Sequence, residues 1–250
     1  MSEPLVLVAV ACAFLVAGLV KGVIGLGLPT VVLALLTALL DLTTAMALLL
    51  VPSFVSNVWQ TMVGGHGKVV LKRIWLFLVL AAATVWIGAL ALTRVPHALL
   101  AALLGLVLIV YSLVNLAGWR LDVARSHERW AGPLAGAING VLTGMTGSFA
   151  VPGVMYLQSL GLSRDALMQA MGMLFTASTV ALAIALQDNR MLSPDLALMS
   201  AGATVPAIFG LMIGQRIRKA MPEPLFRRVF FVSLLLLGGY IAVRAIGRMA

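Results

Sequence analysis

The sequence predicts an all-α polytopic membrane protein with two inverted repeats, each a broken helical hairpin followed by three transmembrane helices. Three observations carry that prediction. The chain of 250 residues is 62% hydrophobic and only 10% charged, where soluble domains run near half apolar and a quarter charged. Two glycine-rich breaks interrupt the apolar segments at corresponding places. The basic residues in the loops fall mostly on one side only if each break reverses the chain.

The elements follow in order. The start, Met1-Ser2-Glu3-Pro4, has no basic stretch and no small-residue cleavage site after it. Segment 4–21 therefore reads as a first membrane helix and not as a removable signal. It runs into Lys21-Gly22-Val23-Ile24-Gly25-Leu26-Gly27-Leu28-Pro29, where three glycines, a proline and a charge replace lipid-compatible helix. Segment 28–40 is too short for a crossing, which takes about 20 residues. Segments 44–63, 74–93 and 97–118 approach that length, and a polar linker occupies 119–130. The second half repeats the layout with 131–146, a break, a short 152–160, and then 164–187, 195–214 and 225–247. Val20-Lys21-Gly22-Val23 reads like Ile138-Asn139-Gly140-Val141 at a shift of 118 positions (138 − 20). The predicted domains are a first repeat at 1–118, a cytoplasmic linker at 119–130 and a second repeat at 131–250.

Charge decides the topology. With each broken segment as one long crossing, the two sides carry 9 and 7 basic residues, which is no bias. With each break as the tip of a hairpin, one side holds Lys68, Lys72, Arg73, Arg120, Arg125, Arg129, Arg164, Arg216, Arg218, Lys219, Arg227 and Arg228. The other holds Arg94, Arg190, Arg244 and Arg248. Twelve against four, with Lys21 left at the tip, is a positive-inside signal that places both termini outside. The count does not distinguish re-entrant hairpins from fully crossing ones.

Irregular backbone survives at membrane depth only where protein or a water-filled cavity satisfies it. Glycine permits the turn and the close approach of a ligand. Pro29 and Pro152 suit the first turn of a helix, where their missing N–H would be unpaired anyway. Each short helix thus presents free N–H groups and a positive dipole end to its break, the outline of an anion site. Lys21 adds a formal charge to one tip, beside Gly22, Gly25 and Gly27. Asn139, Thr143, Thr146, Gly147 and Ser148 bring neutral donors and a further glycine to the other. Ser53, Ser56, Asn57 and Gln60 share one face of the following helix, and Gln169, Gly172, Thr176 and Thr179 do the same in the second half, with Ser178 adjacent. Pro52 sits where it would kink the first of these helices. Plainer readings stand beside these: a snorkelling lysine, close helix packing for Gly18 and Gly22, and interhelical hydrogen bonding for the stripes.

The chain's eight acids and three histidines fall in loops, termini or helix ends. A cation or metal carrier would place such groups within its spans, so no metal site and no cofactor is expected. No H-E-x-x-H, intramembrane aspartate pair or Ser/His dyad is present, so no enzyme is expected. Cys12 is the single cysteine, which leaves no disulfide framework. The net charge of +9 belongs to short loops, so nucleic acid is not an expected partner.

Gly18-Leu-Val-Lys-Gly-Val-Ile-Gly-Leu-Gly-Leu28 resembles the glycine motif opening the first half of the sulfite exporter (TauE/SafE) family. Asp41-Leu-Thr-Thr-Ala-Met-Ala-Leu-Leu-Leu-Val-Pro-Ser53 is similar to its next helix. Asn139-Gly-Val-Leu-Thr-Gly-Met-Thr-Gly147, with Pro152, resembles the motif opening the second half. Two departures are visible: Pro29 falls earlier than the family's proline, near the place of Ala34, and Ser148-Phe-Ala150 stands where further glycines are common. The resemblance implies a bacterial inner-membrane permease for sulfite, organosulfonates or related sulfur oxyanions. The expected mechanism is alternating access around a midplane site that includes Lys21, the glycine N–H groups, Asn57, Asn139, Thr143, Thr146 and Ser148. An anion channel and a non-transporting scaffold are the alternative functions. The expected partners are a small anion and the lipid bilayer, with a homodimer left open.

Overall fold

The computed structural model describes residues 4–119, 122–220 and 223–248. Glu3 and Arg120, both counted above, lie outside the described residues, as do the side chains of Lys219 and Glu223. The described chain is helical, without a strand. Its helices are α1 (Pro4–Ile24), α2 (Leu28–Leu39), α3 (Leu42–Leu48), α4 (Leu50–Met62), α5 (Gly67–Ala83), α6 (Val85–Arg94), α7 (His97–Leu116), α8 (Glu128–Thr146), α9 (Gly153–Ser159), α10 (Arg164–Asp188), α11 (Pro194–Ala220) and α12 (Glu223–Gly247). Among the described residues six helical stretches are long and apolar enough to cross a membrane, or seven if the bent pair α3–α4 counts as one span. Large apolar side chains stand outward on them, such as Leu198 at 75% and Val205 at 72% exposure. A surface of that kind fits lipid and not water.

Two compact units divide the chain, and each draws on both sequence halves. One comprises residues 1–52, 97–117 and 193–250; the other comprises 53–96 and 118–192. In the first unit α1 packs along α11, α7 along α12, and α2 back against α1, so residues 4–39 do not form one rod. Tyr111 and Phe231 meet edge to face at 5.3 Å in its core. Arg227 lies 5.7 Å over the Phe231 ring and donates to Asn115 at 3.1 Å. In the second unit α8 packs along α5 and α6, which in turn pack on α10.

The α1–α11 seam and the α8–α5/α6 seam are built alike. A Cβ on Gly18 would collide with the carbonyl oxygen of Ala207, and one on Gly22 with that of Leu211. A Cβ on Gly136 would strike the carbonyl of Phe77, and one on Gly140 that of Ala81. The glycines are related by the 118-residue shift (136 − 18, 140 − 22), and their partners by 130 (207 − 77, 211 − 81). Only glycine lets two helix backbones approach this closely. The seams are not identical throughout. Gly214 abuts the Leu19 carbonyl in the first, whereas in the second Thr84 donates its hydroxyl to the Ala137 carbonyl at 2.8 Å.

The expected 44–63 helix is bent by 46° between α3 and α4. Proline explains the place. Residue 52 would donate to the Leu48 carbonyl in a continuous helix, and Pro52 has no N–H to give. Ser200 of α11 supplies the missing donor, with its Oγ 2.7 Å from the Leu48 oxygen. The Ser200 Oγ in turn accepts the Val51 N–H at 3.0 Å. Asp41 caps the start of α3 by accepting the Thr44 N–H at 2.9 Å, and Ser163 caps α10 through the Ala166 N–H.

Candidate functional site

The breaks are shorter than the sequence motif suggests. In the first unit α1 stays helical through Lys21, Gly22 and Ile24, and only Gly25–Gly27 is irregular. A glycine inside an apolar run does not by itself end a helix, because at membrane depth the backbone keeps its internal hydrogen bonds. Lys21 is therefore in the last turn of α1, where a cation meets the negative dipole end. It is 4% exposed, so it does not reach out to headgroups as a snorkelling lysine would. Gly22 faces α11, and close packing accounts for glycine at that position. Gly25 has φ 84°, and Gly27 has φ 109° as the N-cap of α2. That backbone conformation is open to glycine and strained for other residues. Pro29 sits in the first turn of α2, and the Val31 N–H closes that turn onto the Gly27 oxygen at 2.8 Å. The remaining first-turn N–H groups, those of Leu28 and Thr30, have no acceptor within the helix.

In the second unit α8 runs to Thr146, and the break covers residues 147–152. Gly147 ends the helix at φ 72° and gives its N–H to the Thr143 oxygen at 2.7 Å. Asn139 and Thr143 thus lie inside a helix and not on a tip. Both are fully buried, as are Thr146 and Ser148. Asn139 accepts the Gly153 N–H on Oδ1 at 3.0 Å, which caps α9 from the side. Its Nδ2 then has no hydrogen-bond partner among the described residues.

The threonines hold the break in shape. Thr143 donates to the Ser148 carbonyl at 3.0 Å, and Thr146 donates to the Leu142 carbonyl at 2.7 Å. The Ser148 N–H bonds back to the Thr146 hydroxyl at 3.2 Å. With their protons committed, these two hydroxyls position backbone and have no proton left for a ligand. Ser148 differs, because its backbone is fully engaged while its Oγ is buried without a partner. Phe149 follows it, buried against Phe175 of α10 with ring centroids 6.0 Å apart.

The two polar stripes lie in this unit as well, and much of their polarity joins α4 to α10. Gln60 donates to the Met168 carbonyl at 2.9 Å, and Gln169 to the Thr61 carbonyl at 2.7 Å. Gln169 also accepts the His66 N–H at 2.9 Å. Thr61 and Thr176 pair their hydroxyls at 3.4 Å. Gly172 lies close against the Thr61 backbone. Interhelical bonding is therefore the reading for these members. Asn57 is fully buried, and its carbonyl accepts from Thr61 at 2.9 Å. Ser53 and Ser178 are buried with hydroxyls that have no partner among the described residues. A buried hydroxyl or amide proton without a partner costs about 1–3 kcal/mol. Four such side chains in one unit, Ser53, Asn139, Ser148 and Ser178, form a set of donors suited to something the protein itself does not supply.

Comparison with known proteins decides the family. The model for "Sulfite exporter TauE/SafE" matches residues 10–241, nearly the whole chain. The chain belongs to the TauE/SafE family. It is thus a multi-pass membrane protein of a family of permeases for sulfur compounds. No curated protein and no solved structure matches it. Both breaks of this TauE/SafE chain lie inside the matched stretch. No group of three or more His, Cys, Asp or Glu able to hold a metal occurs among the described residues.

Some residues that shape the units were not read from the sequence. Ser200 sits in the apolar stretch of α11 and Thr84 at the junction of α5 and α6, with no motif to mark their bonds. Arg73 pairs with Glu128 through two hydrogen bonds, at 2.9 and 2.6 Å, and reaches the Leu160 carbonyl at 3.0 Å. The sequence separation of 55 hides that pair. The Arg73 guanidinium bound to the Glu128 carboxyl holds it below the usual carboxylate range, against the opposing effect of burial.

Proposed function

We propose that this TauE/SafE member carries small sulfur oxyanions, sulfite or organosulfonates, out of a bacterial cell across the inner membrane by alternating access. The observation that carries the reading is the pair of buried, unpartnered donors beside the second break, Asn139 Nδ2 and Ser148 Oγ. A tetrahedral or pyramidal oxyanion offers only acceptors, which suits protons left without protein partners. Lys21, at the end of α1, is the proposed charged contact in the cycle, with the N–H groups of Gly25, Gly27 and the first turn of α2 as neutral ones. A lysine in a membrane segment is a functional group by default. Asn57 is proposed to contact the anion from α4, while Thr143, Thr146 and Gly147 shape the second break.

Export needs no coupling ion. A membrane negative inside drives an anion outward by about 2.3 kcal/mol per charge per 100 mV. The charge bias of the loops supports an orientation with both termini outside. The test is flux of labelled sulfite from proteoliposomes under an imposed potential, with taurine, sulfate and thiosulfate as competitors. Saturable flux that reverses with the potential and is lost in Lys21→Met is the expected result. Flux that is unchanged in Lys21→Met, or that appears only with a proton gradient, would sink the proposal.

A further inference from the structure

The second unit carries a polar cavity, and none of its lining residues belongs to a break. It has a volume of about 430 Å³ and lies among the N-terminal half of α5, the start of α8 and α9. Arg73, Arg125, Glu128, Arg129 and Tyr156 supply its polar groups. Arg73 and Glu128 neutralise each other, with both carboxylate oxygens engaged. Arg125 and Arg129 are exposed and have no hydrogen bond or ion pair among the described residues, so three arginines against one glutamate leave the cavity at +2.

Its other features suit an anion with an ester or phosphate oxygen. Tyr156 is buried, its ring tilted against that of Phe77 with centroids 5.0 Å apart and its hydroxyl lodged against Gly132. That hydroxyl has no hydrogen bond among the described residues. The 19-residue α8 begins at Glu128, so its positive dipole end adds to the arginines. Trp75 lines the cavity at 55% exposure, and Trp130 follows Arg129 at 59%. Exposed tryptophans of a membrane protein gather at headgroup level. The three arginines are also on the side that the loop-charge bias makes cytoplasmic, where anionic lipid is concentrated.

We propose that this cavity binds a phosphate group, with Arg125 and Arg129 as charged contacts and Tyr156 as the neutral donor. Anionic phospholipid headgroups and free phosphate share that chemistry, and the test separates them. Purified protein is incubated with phosphatidylglycerol or phosphatidylcholine, with and without inorganic phosphate, and the retained lipid is counted by native mass spectrometry. The wild type should retain phosphatidylglycerol in preference to phosphatidylcholine. Arg125→Gln with Arg129→Gln should weaken that retention about tenfold, without changing the melting temperature, because neither side chain bonds within the fold. Tyr156→Phe keeps the ring packing and should weaken retention more modestly. If inorganic phosphate protects wild type but not the double variant, and no lipid preference is seen, free phosphate is the occupant and the site stands. Equal lipid retention by wild type and the double variant, with no phosphate effect that depends on these residues, overturns the proposal. The sulfite flux assay reads neither result, so the two proposals fail independently.

Discussion

Ser148→Ala separates a ligand-binding role from a structural one. The Ser148 N–H and C=O are both tied to threonines, and alanine keeps those bonds. The substitution removes one atom, the buried Oγ, which bonds to nothing among the described residues. Stability should therefore stay level or rise, by up to about 1 kcal/mol, as an unsatisfied hydroxyl leaves the interior. Anion binding should move the opposite way. A hydrogen bond to a charged partner contributes about 1.5–3 kcal/mol, which corresponds to roughly 10- to 150-fold in Kd. The assay is paired: thermal unfolding in detergent, and sulfite binding by calorimetry on the same preparation. A gain or null in melting temperature with a loss of affinity is the expected pattern. Lower stability with unchanged affinity would refute the reasoning, because it would make Ser148 Oγ a packing group.

Gly140→Ala and Gly22→Ala should each cost about 1–3 kcal/mol, since the new methyl meets helix backbone that cannot rotate away; chemical unfolding monitors both, and the anion affinity of the Gly22 variant should be unchanged. Ser200→Ala leaves the Leu48 carbonyl and the Val51 N–H without their shared partner, and should lower stability by about 1–3 kcal/mol, with Ser200→Thr restoring part of it. Glu128→Gln should cost about 1–2 kcal/mol at neutral pH. The pH dependence has a definite sign. Arg73 depresses the folded-state pKa of Glu128, so the pair's contribution is complete above the ordinary glutamate value of about 4.3 and is lost as pH falls through the lower folded value. The gap in melting temperature between wild type and Glu128→Gln should accordingly narrow on acidification below about pH 4.

The parts of the fold legible in the sequence are those set by composition and short-range pattern. Long apolar runs give spans, and the glycine-proline pairs at 25–29 and 147–152 locate the breaks. Break boundaries were less legible because a glycine inside a helix looks the same whether it turns the chain or lets another helix come close. Gly22 and Gly140 belong to the second kind, and Gly27 and Gly147 to the first; only the φ angle and the neighbouring backbone tell them apart. The candidate site shows the same division. The residue types of Asn139, Thr143, Thr146 and Ser148 were readable as donors. Which protons the backbone had already taken depends on loop closure, as with Thr143 reaching five residues ahead to Ser148. Contacts such as Arg73 to Glu128 or Ser200 to Leu48 join distant segments by one or two bonds and leave no periodic trace.

The Pro52 bend has a consequence for motion. A proline alone fixes only where a helix is weak; the angle is set by whatever satisfies the abandoned carbonyl. Here that group is a hydroxyl on another helix, held by a single 2.7 Å bond. An axial slip of α11 would strand the Leu48 carbonyl in the interior, at about 1–3 kcal/mol. Ser200 thus pins the last residue of α3 at one height on α11, within the first unit.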